Sequence, residues 1–183
     1  MTRSSPIPAL IPERRLRARV RAIGRAIQRD YRGRDLVLVG ILKGSFIFMS
    51  DLVRSIRLPL RCDFMKVSSY GTRTQSSGRL RFDFDVSLPL RGRHVVVVED
   101  IVDTGFTILK VLAALRGRRP ASLRLCALLH KPARGRYPVT IDYLGFTIPD
   151  RFVVGYGLDH DGLHRNLPYI GAVDEGPREK SGA

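Results

Sequence analysis

The sequence predicts an α/β fold with a central, mostly parallel sheet flanked by helices, and three observations carry that prediction. Near-continuous apolar runs, typical of strands buried on both faces, occur at Leu36–Ile41, His94–Val98 and Leu123–Leu129. Segments with apolar residues at helical spacing alternate with these runs. A length of 183 residues suits one domain with a core of its own. Alternating strands and helices in one domain call for right-handed crossovers in a single sheet.

The elements follow in order. Residues 1–9 are polar and broken by Pro6 and Pro8, and residues 175–183 (EGPREKSGA) are small and charged, so both ends are expected to fray around a folded domain of residues 10–174. From Pro12 to Asp30, Leu16, Val20, Ile23 and Ile27 recur at helical spacing, with arginines on the other faces, as on a solvated amphipathic helix. The strand LVLVGI leads through Leu42-Lys43-Gly44-Ser45 into a helix over Phe46–Ile56, and a strand-like stretch covers Leu58–Val67. The segment SSYGTRTQSSGRLRF has no run of apolar anchors and reads as a disordered or functional lid. HVVVV then enters an acidic loop, followed by the helical ILKVLAAL, the strand LRLCALL and a last short strand at Phe152–Tyr156.

Composition limits the function classes. With 44% hydrophobic and 27% charged residues and a mean hydropathy of -0.07, the chain is neither disordered, collagenous nor membrane-embedded. Thirty-two Lys and Arg against 17 Asp and Glu leave a formal charge of +15, which suits nucleic acid, an anionic membrane or phosphorylated small molecules. No apolar stretch approaches the roughly 20 residues of a spanning helix. Arg3 is followed by Pro6, Pro8 and Glu13 rather than an apolar signal core, so a reducing cytoplasm is expected. Cys62 and Cys126 both lie in strand-like context and are expected to be buried thiols, and His94, His130 and His164 show no metal spacing.

The chemistry concentrates at Glu99, Asp100 and Asp103, where a buried strand ends. In open α/β sheets that edge holds the ligand. Asp103 or Thr104 alone would read as a helix cap. Together with Thr-Gly-x-Thr, however, the segment reads as a phosphate cradle: Gly105 frees backbone N–H groups, Thr104 and Thr107 add hydroxyls, and the following helix start favours negative charge. No G-x-x-x-x-G-K-[ST] and no helix-opening G-x-G-x-x-G is present.

VVVVEDIVDTGFTI resembles the phosphoribosyl-diphosphate signature of the type I phosphoribosyltransferases, and its Glu-Asp-Ile-Val-Asp-Thr-Gly form is similar to the hypoxanthine-guanine branch. GILKGSFIFMSDL, DFMKVSSYGT, LLHKP, PDRFVVGYGLD and HRNLPYIG resemble that branch in the same order, over roughly residues 10 to 172. The resemblance implies the type I phosphoribosyltransferase fold, with a small hood made from both chain ends. It implies transfer of a 5-phosphoribosyl group from phosphoribosyl diphosphate to N9 of hypoxanthine or guanine, giving IMP or GMP and pyrophosphate.

The same resemblance assigns residues. Glu99 and Asp100 would take the ribose hydroxyls, Asp103 would be the proton acceptor near purine N7, and Asp103, Thr104, Gly105, Phe106 and Thr107 would wrap the 5′-phosphate. Lys43, Gly44 and Arg165 would bind pyrophosphate, with a cis bond expected at Lys43–Gly44. Ser69, Tyr70 and Gly71 would begin the lid. Lys131 would donate to purine O6, Phe152 would stack on the base, and the Val153 main chain and Asp159 would complete the purine pocket. Asp159, Glu99 and Asp100 would hold Mg²⁺. His160 stands where relatives often carry Tyr and reads as a peripheral change. A homodimer or homotetramer is implied; separately, the apolar stripe of the Phe46–Ile56 helix exceeds what one sheet face requires and places that helix in the interface, and no membrane or nucleic-acid partner is expected. The alternative raised by the +15 charge is an RNA-binding regulator on the same fold.

Overall fold

The computed structural model describes residues 7–69 and 80–173. After β1 (Ala9–Ile11) come α1 (Glu13–Asp30), β2 (Leu36–Leu42), α2 (Phe46–Arg54), β3 (Leu60–Ser69), β4 (Leu80–Phe84), β5 (His94–Val102), α3 (Phe106–Arg116), β6 (Ser122–His130), β7 (Tyr143–Thr147), β8 (Phe152–Val154) and β9 (Ile170–Val173). Six strands form the main sheet in the order β4-β3-β2-β5-β6-β7, parallel except for β4 at one edge. β1, β9 and β8 form a separate antiparallel sheet, which is the hood made from both chain ends.

The apolar runs build three layers because successive strand side chains face opposite ways. Leu36, Leu38, Val96, Val98 and Leu128 join Leu16, Val20, Ile23 and Ile27 of α1 and Phe48, Met49 and Leu52 of α2 in one core. Val37, Val39, Val95, Val97 and Leu125 join Ile108, Val111, Leu112 and Leu115 of α3 in the other. Helix α1 begins after Pro12, whose fixed φ suits the residue that introduces a helix. Among the described residues no helix is long and apolar enough to cross a membrane.

Several expectations change. The strand at His94 runs four residues past Val98, so Glu99 and Asp100 are strand residues rather than loop residues. The end of the expected lid, Leu80–Phe84, is strand β4 paired with β3. Cys126 is buried, but Cys62 is exposed. The reason is that β4 pairs only with Lys66–Ser69, which leaves the first half of β3 as a sheet edge. β7 was not foreseen; its Gly145 packs against the Leu128 backbone, and Arg19 Nε donates to Gly145 O at 2.9 Å.

Candidate active site

Strand β5 carries the acidic pair to the carboxyl edge of the sheet. Glu99 pairs with Ala127 and Ile101 with Leu129 of β6, while β2 parts from β5 after Gly40–Val98. The loop after β2 therefore returns across Asp100. Gly44 lies so close that a Cβ there would overlap Asp100 Oδ2. The cis peptide is Leu42–Lys43, one bond earlier than the expected Lys43–Gly44.

A second loop closes over Gly44 from the other side. A Cβ on Gly157 would overlap Gly44 O. Arg165 Nη1 donates to Gly157 O at 2.6 Å, and Arg165 Nη2 pairs with Asp159 Oδ1 at 2.5 Å. Asp159 Oδ2 accepts the Gly162 N–H at 2.8 Å. Gly44, Asp100, Arg165 and Asp159 thus meet in one constellation, with exposed Lys43 beside it.

Burial dominates the electrostatics of the acidic pair. It pushes the Asp100 carboxyl up to about 6; the N–H of Ile101 and the Arg165 charge pull it back, and Asp159 opposes them. Burial and then the Asp100 charge hold Glu99 well above the ordinary carboxylate range, and its Oε2 is buried without a hydrogen-bond partner. Such a pair is short of positive charge and of donors. Vicinal hydroxyls or a cation would supply both.

The Asp103–Thr107 turn, expected to cradle a phosphate, opens helix α3 through Gly105. The N-cap of α3 is Gly105, at φ +85°, with no side-chain cap of its own, while Thr104 Oγ1 accepts the Phe106 N–H from one residue back. The first helical bond is Leu109 N–H to Gly105 O at 3.1 Å, and Thr104 Oγ1 lies 3.4 Å from Phe106 N. Helix-start amides are therefore left facing the turn, beside the exposed Thr107. Behind the turn, Thr104 O accepts the N–H groups of Arg136 and Tyr137, and the Phe106 ring sits 5.3 Å from that of Tyr137.

On the far side of Asp103 lies a chain of alternating charges. Lys131, the residue after β6, is buried rather than solvated; its N–H donates to Val102 O at 3.0 Å, and its Nζ is 3.7 Å from Asp150 Oδ1. Arg134 places Nε 3.3 Å from Asp103 Oδ1 and Nη1 3.8 Å from Asp150 Oδ1. Arg134, which closes a 3-10 turn over Pro132–Arg134, and Asp150 were not singled out from the sequence, since no spacing marks either. Phe152 is half-buried, and its ring centroid is 5.1 Å from that of His160, edge on. Val153 is buried opposite Ala172 in the hood. Ser69 ends β3, whereas Tyr70 and Gly71 lie outside the described residues.

Among the described residues no three His, Cys, Asp or Glu side chains converge on a ready-made metal cage. Asp100 and Asp159 instead offer oxygen donors beside the loop that holds Gly44. That suits a hard cation which keeps most of its water and takes its remaining oxygens from a phosphorylated substrate.

The comparisons with known proteins agree with this geometry. The family model of the phosphoribosyl transferase domain matches residues 12–161. The hypoxanthine phosphoribosyltransferase of Haemophilus influenzae is 46% identical over 170 residues, covering 91% of this chain and 95% of the relative. The hypoxanthine-guanine phosphoribosyltransferase of Mycobacterium avium is 48% identical over 172 residues, covering 90% and 84%. A crystal structure of a hypoxanthine phosphoribosyltransferase from Staphylococcus aureus superposes with a TM-score of 0.87 at 42% identity, covering 91% of this chain and 90% of that one. On the strength of an acidic strand end, a glycine-opened helix start and these matches, the chain belongs to the phosphoribosyltransferase family and groups there with the hypoxanthine and hypoxanthine-guanine enzymes.

Proposed function

We propose that the protein transfers the 5-phosphoribosyl group of phosphoribosyl diphosphate to N9 of hypoxanthine or guanine, forming IMP or GMP and pyrophosphate, as a purine-salvage enzyme. The observation that carries this reading is the position of Asp100: it is desolvated against Gly44, shares its surroundings with Arg165 and Asp159, and stands three residues before Asp103 at the mouth of the phosphate turn.

Each group has a task. Glu99 and Asp100 accept hydrogen bonds from the ribose diol, which offsets the desolvation of their carboxylates. The Asp103–Thr107 turn holds the 5′-phosphate through backbone N–H groups, so the Phe106 side chain is not required to touch it. Lys43, the Gly44 backbone and Arg165 receive the pyrophosphate. Lys131 donates to O6 of the base, with Asp150 keeping its ammonium oriented, and Phe152 stacks on the ring beside the Val153 main chain. Asp103 accepts the proton from the purine; its buried Oδ1 has no hydrogen-bond partner and keeps its capacity to accept, with the Arg134 charge 3.3 Å away. As the bond from sugar to pyrophosphate breaks, the pair at the strand end faces the developing positive charge on the sugar. Asp159, Glu99 and Asp100 would hold Mg²⁺, which would supply positive charge beside the pyrophosphate.

We also assign the chain to the cytoplasm and to a homodimer or homotetramer, with Phe46, exposed at the start of α2, in the interface. Light scattering at micromolar concentration tests the assembly, and a monomer contradicts it. The activity is tested by supplying phosphoribosyl diphosphate, Mg²⁺ and hypoxanthine: IMP and pyrophosphate should appear in equal amounts. RNA binding with no nucleotide formed would overturn the reading in favour of a regulator.

A further inference from the structure

The +15 charge is not consumed by the site just described. Part of it lines a groove of about 800 Å³ between α1 and the end of α2, on the face of the sheet that these two helices cover. Five arginines line this groove against one carboxylate: Arg17, Arg21, Arg25, Arg54 and Arg57 face Asp51. Three of them sit at four-residue intervals on α1, so they follow one helix face over about 12 Å. Arg17 pairs with Glu13 at 2.5 Å and Arg54 pairs with Asp51. Asp51 is further engaged by the Tyr156 hydroxyl at 2.6 Å. Among the described residues, Arg21, Arg25 and Arg57 form no ion pair, and the groove walls are fixed where Gly24 of α1 meets Ser55 with no room for a side chain.

We propose that this groove is a second anion site, separate from the catalytic one, and that its occupant is a free linear oligophosphate. Charge complementarity argues for the anion. Guanidinium forks pair bidentately with oxyanions and are less strongly hydrated than ammonium groups, so a groove whose five cations are all arginine favours a multiply charged oxyanion over hydroxyl-bearing ligands, and a phosphate group carries more charge than a carboxylate. The volume lies in the range of small-molecule sites. No aromatic side chain lines the groove, so it has no platform on which a base could stack. The phosphate chain is therefore what it reads.

The test is calorimetric titration of the full chain with sodium tripolyphosphate at 150 mM salt, comparing the unaltered protein with Arg21→Gln/Arg25→Gln/Arg57→Gln. These are exposed side chains outside the catalytic machinery, so the variant should keep its melting temperature and its turnover of hypoxanthine. The unaltered protein should bind tripolyphosphate at two sites. The triple variant should lose one of them, with affinity there falling at least tenfold, while Arg165→Ala should spare that same site. Equal binding by the unaltered protein and the triple variant overturns the proposal. So does a single-stranded RNA 20-mer that binds the groove more tightly than tripolyphosphate, which would make the occupant a polymer. Dissociation of an oligomer in the triple variant would identify the groove as an interface and would likewise overturn it.

Discussion

Gly44 and Asp100 are in direct contact across the carboxyl edge of the sheet: any side chain at position 44 would occupy the space of the Asp100 carboxylate. Two segments 56 residues apart in the chain thereby share one small volume. One brings the proposed pyrophosphate loop, the other the proposed ribose acid.

Gly44→Ala should therefore leave the fold in place and damage the site. Displacing either group by about an ångström costs on the order of a hundredfold in rate. Steady-state kinetics should show kcat/KM lowered by about that factor with Tm changed by only a few degrees. An active Gly44→Ala enzyme would show that the two segments do not share a substrate.

Asp103→Asn keeps the shape of the turn and removes the charge of a carboxylate whose Oδ1 lies 3.3 Å from Arg134 Nε without a hydrogen bond. Proton-transfer and electrostatic contributions of this kind are each worth about 10² to 10³ in rate. Turnover should fall by that much, with a smaller change in KM. Near-normal kcat would remove Asp103 from the chemistry.

The acidic pair makes a prediction about stability in the metal-free protein. The Asp100 carboxyl is raised from 3.8 to about 6, so over that window the native state retains a proton that the unfolded chain has lost. Stability from this group must then fall as pH rises from about 4 to 6 and level off above, the reverse of a salt-bridged aspartate. Asp100→Asn should flatten this limb and raise stability at pH 7.5 by about 1 kcal/mol or more, or roughly 2–4 °C in Tm. Thermal melts from pH 4 to 8 decide it; a variant less stable than the parent at pH 7.5 contradicts the desolvation account.

Lys131→Ser tests the purine pocket. A charged donor to O6 contributes about 1.5 to 3 kcal/mol, roughly ten- to a hundredfold in affinity. Binding of hypoxanthine and guanine should weaken by that factor and discrimination against adenine should relax, with phosphoribosyl diphosphate little affected. Unchanged purine kinetics would show that the buried ammonium serves only Asp150.

What could be read in the sequence follows from how local its cause is. The alternation in Leu36–Val39 and Val95–Val98 assigns residues to two cores because each strand is covered on both faces, and the turn at Gly105 declares itself through the glycine its positive φ requires. β4 and β7 lacked such a signal: each is five residues long, one with Arg81 and Asp83 among its aromatics and the other with Gly145 at its centre, and neither has a continuous apolar run. The exposure of Cys62 depends on how far β4 reaches along β3, a register that no local pattern encodes. Arg134 and Asp150 become part of the site only because the loops after β6 and β7 converge beside Asp103.

The central claim is a 6-oxopurine phosphoribosyl transfer, and its most direct measurement is kcat/KM for hypoxanthine, guanine, xanthine and adenine with phosphoribosyl diphosphate and Mg²⁺. Lys131 has three donors and no acceptor, so an exocyclic amine at C6 would face it unpaired. Hypoxanthine or guanine should exceed adenine by at least about a hundredfold, with one pyrophosphate released per nucleotide formed. Adenine used as well as hypoxanthine, or no nucleotide from any base, would contradict the account.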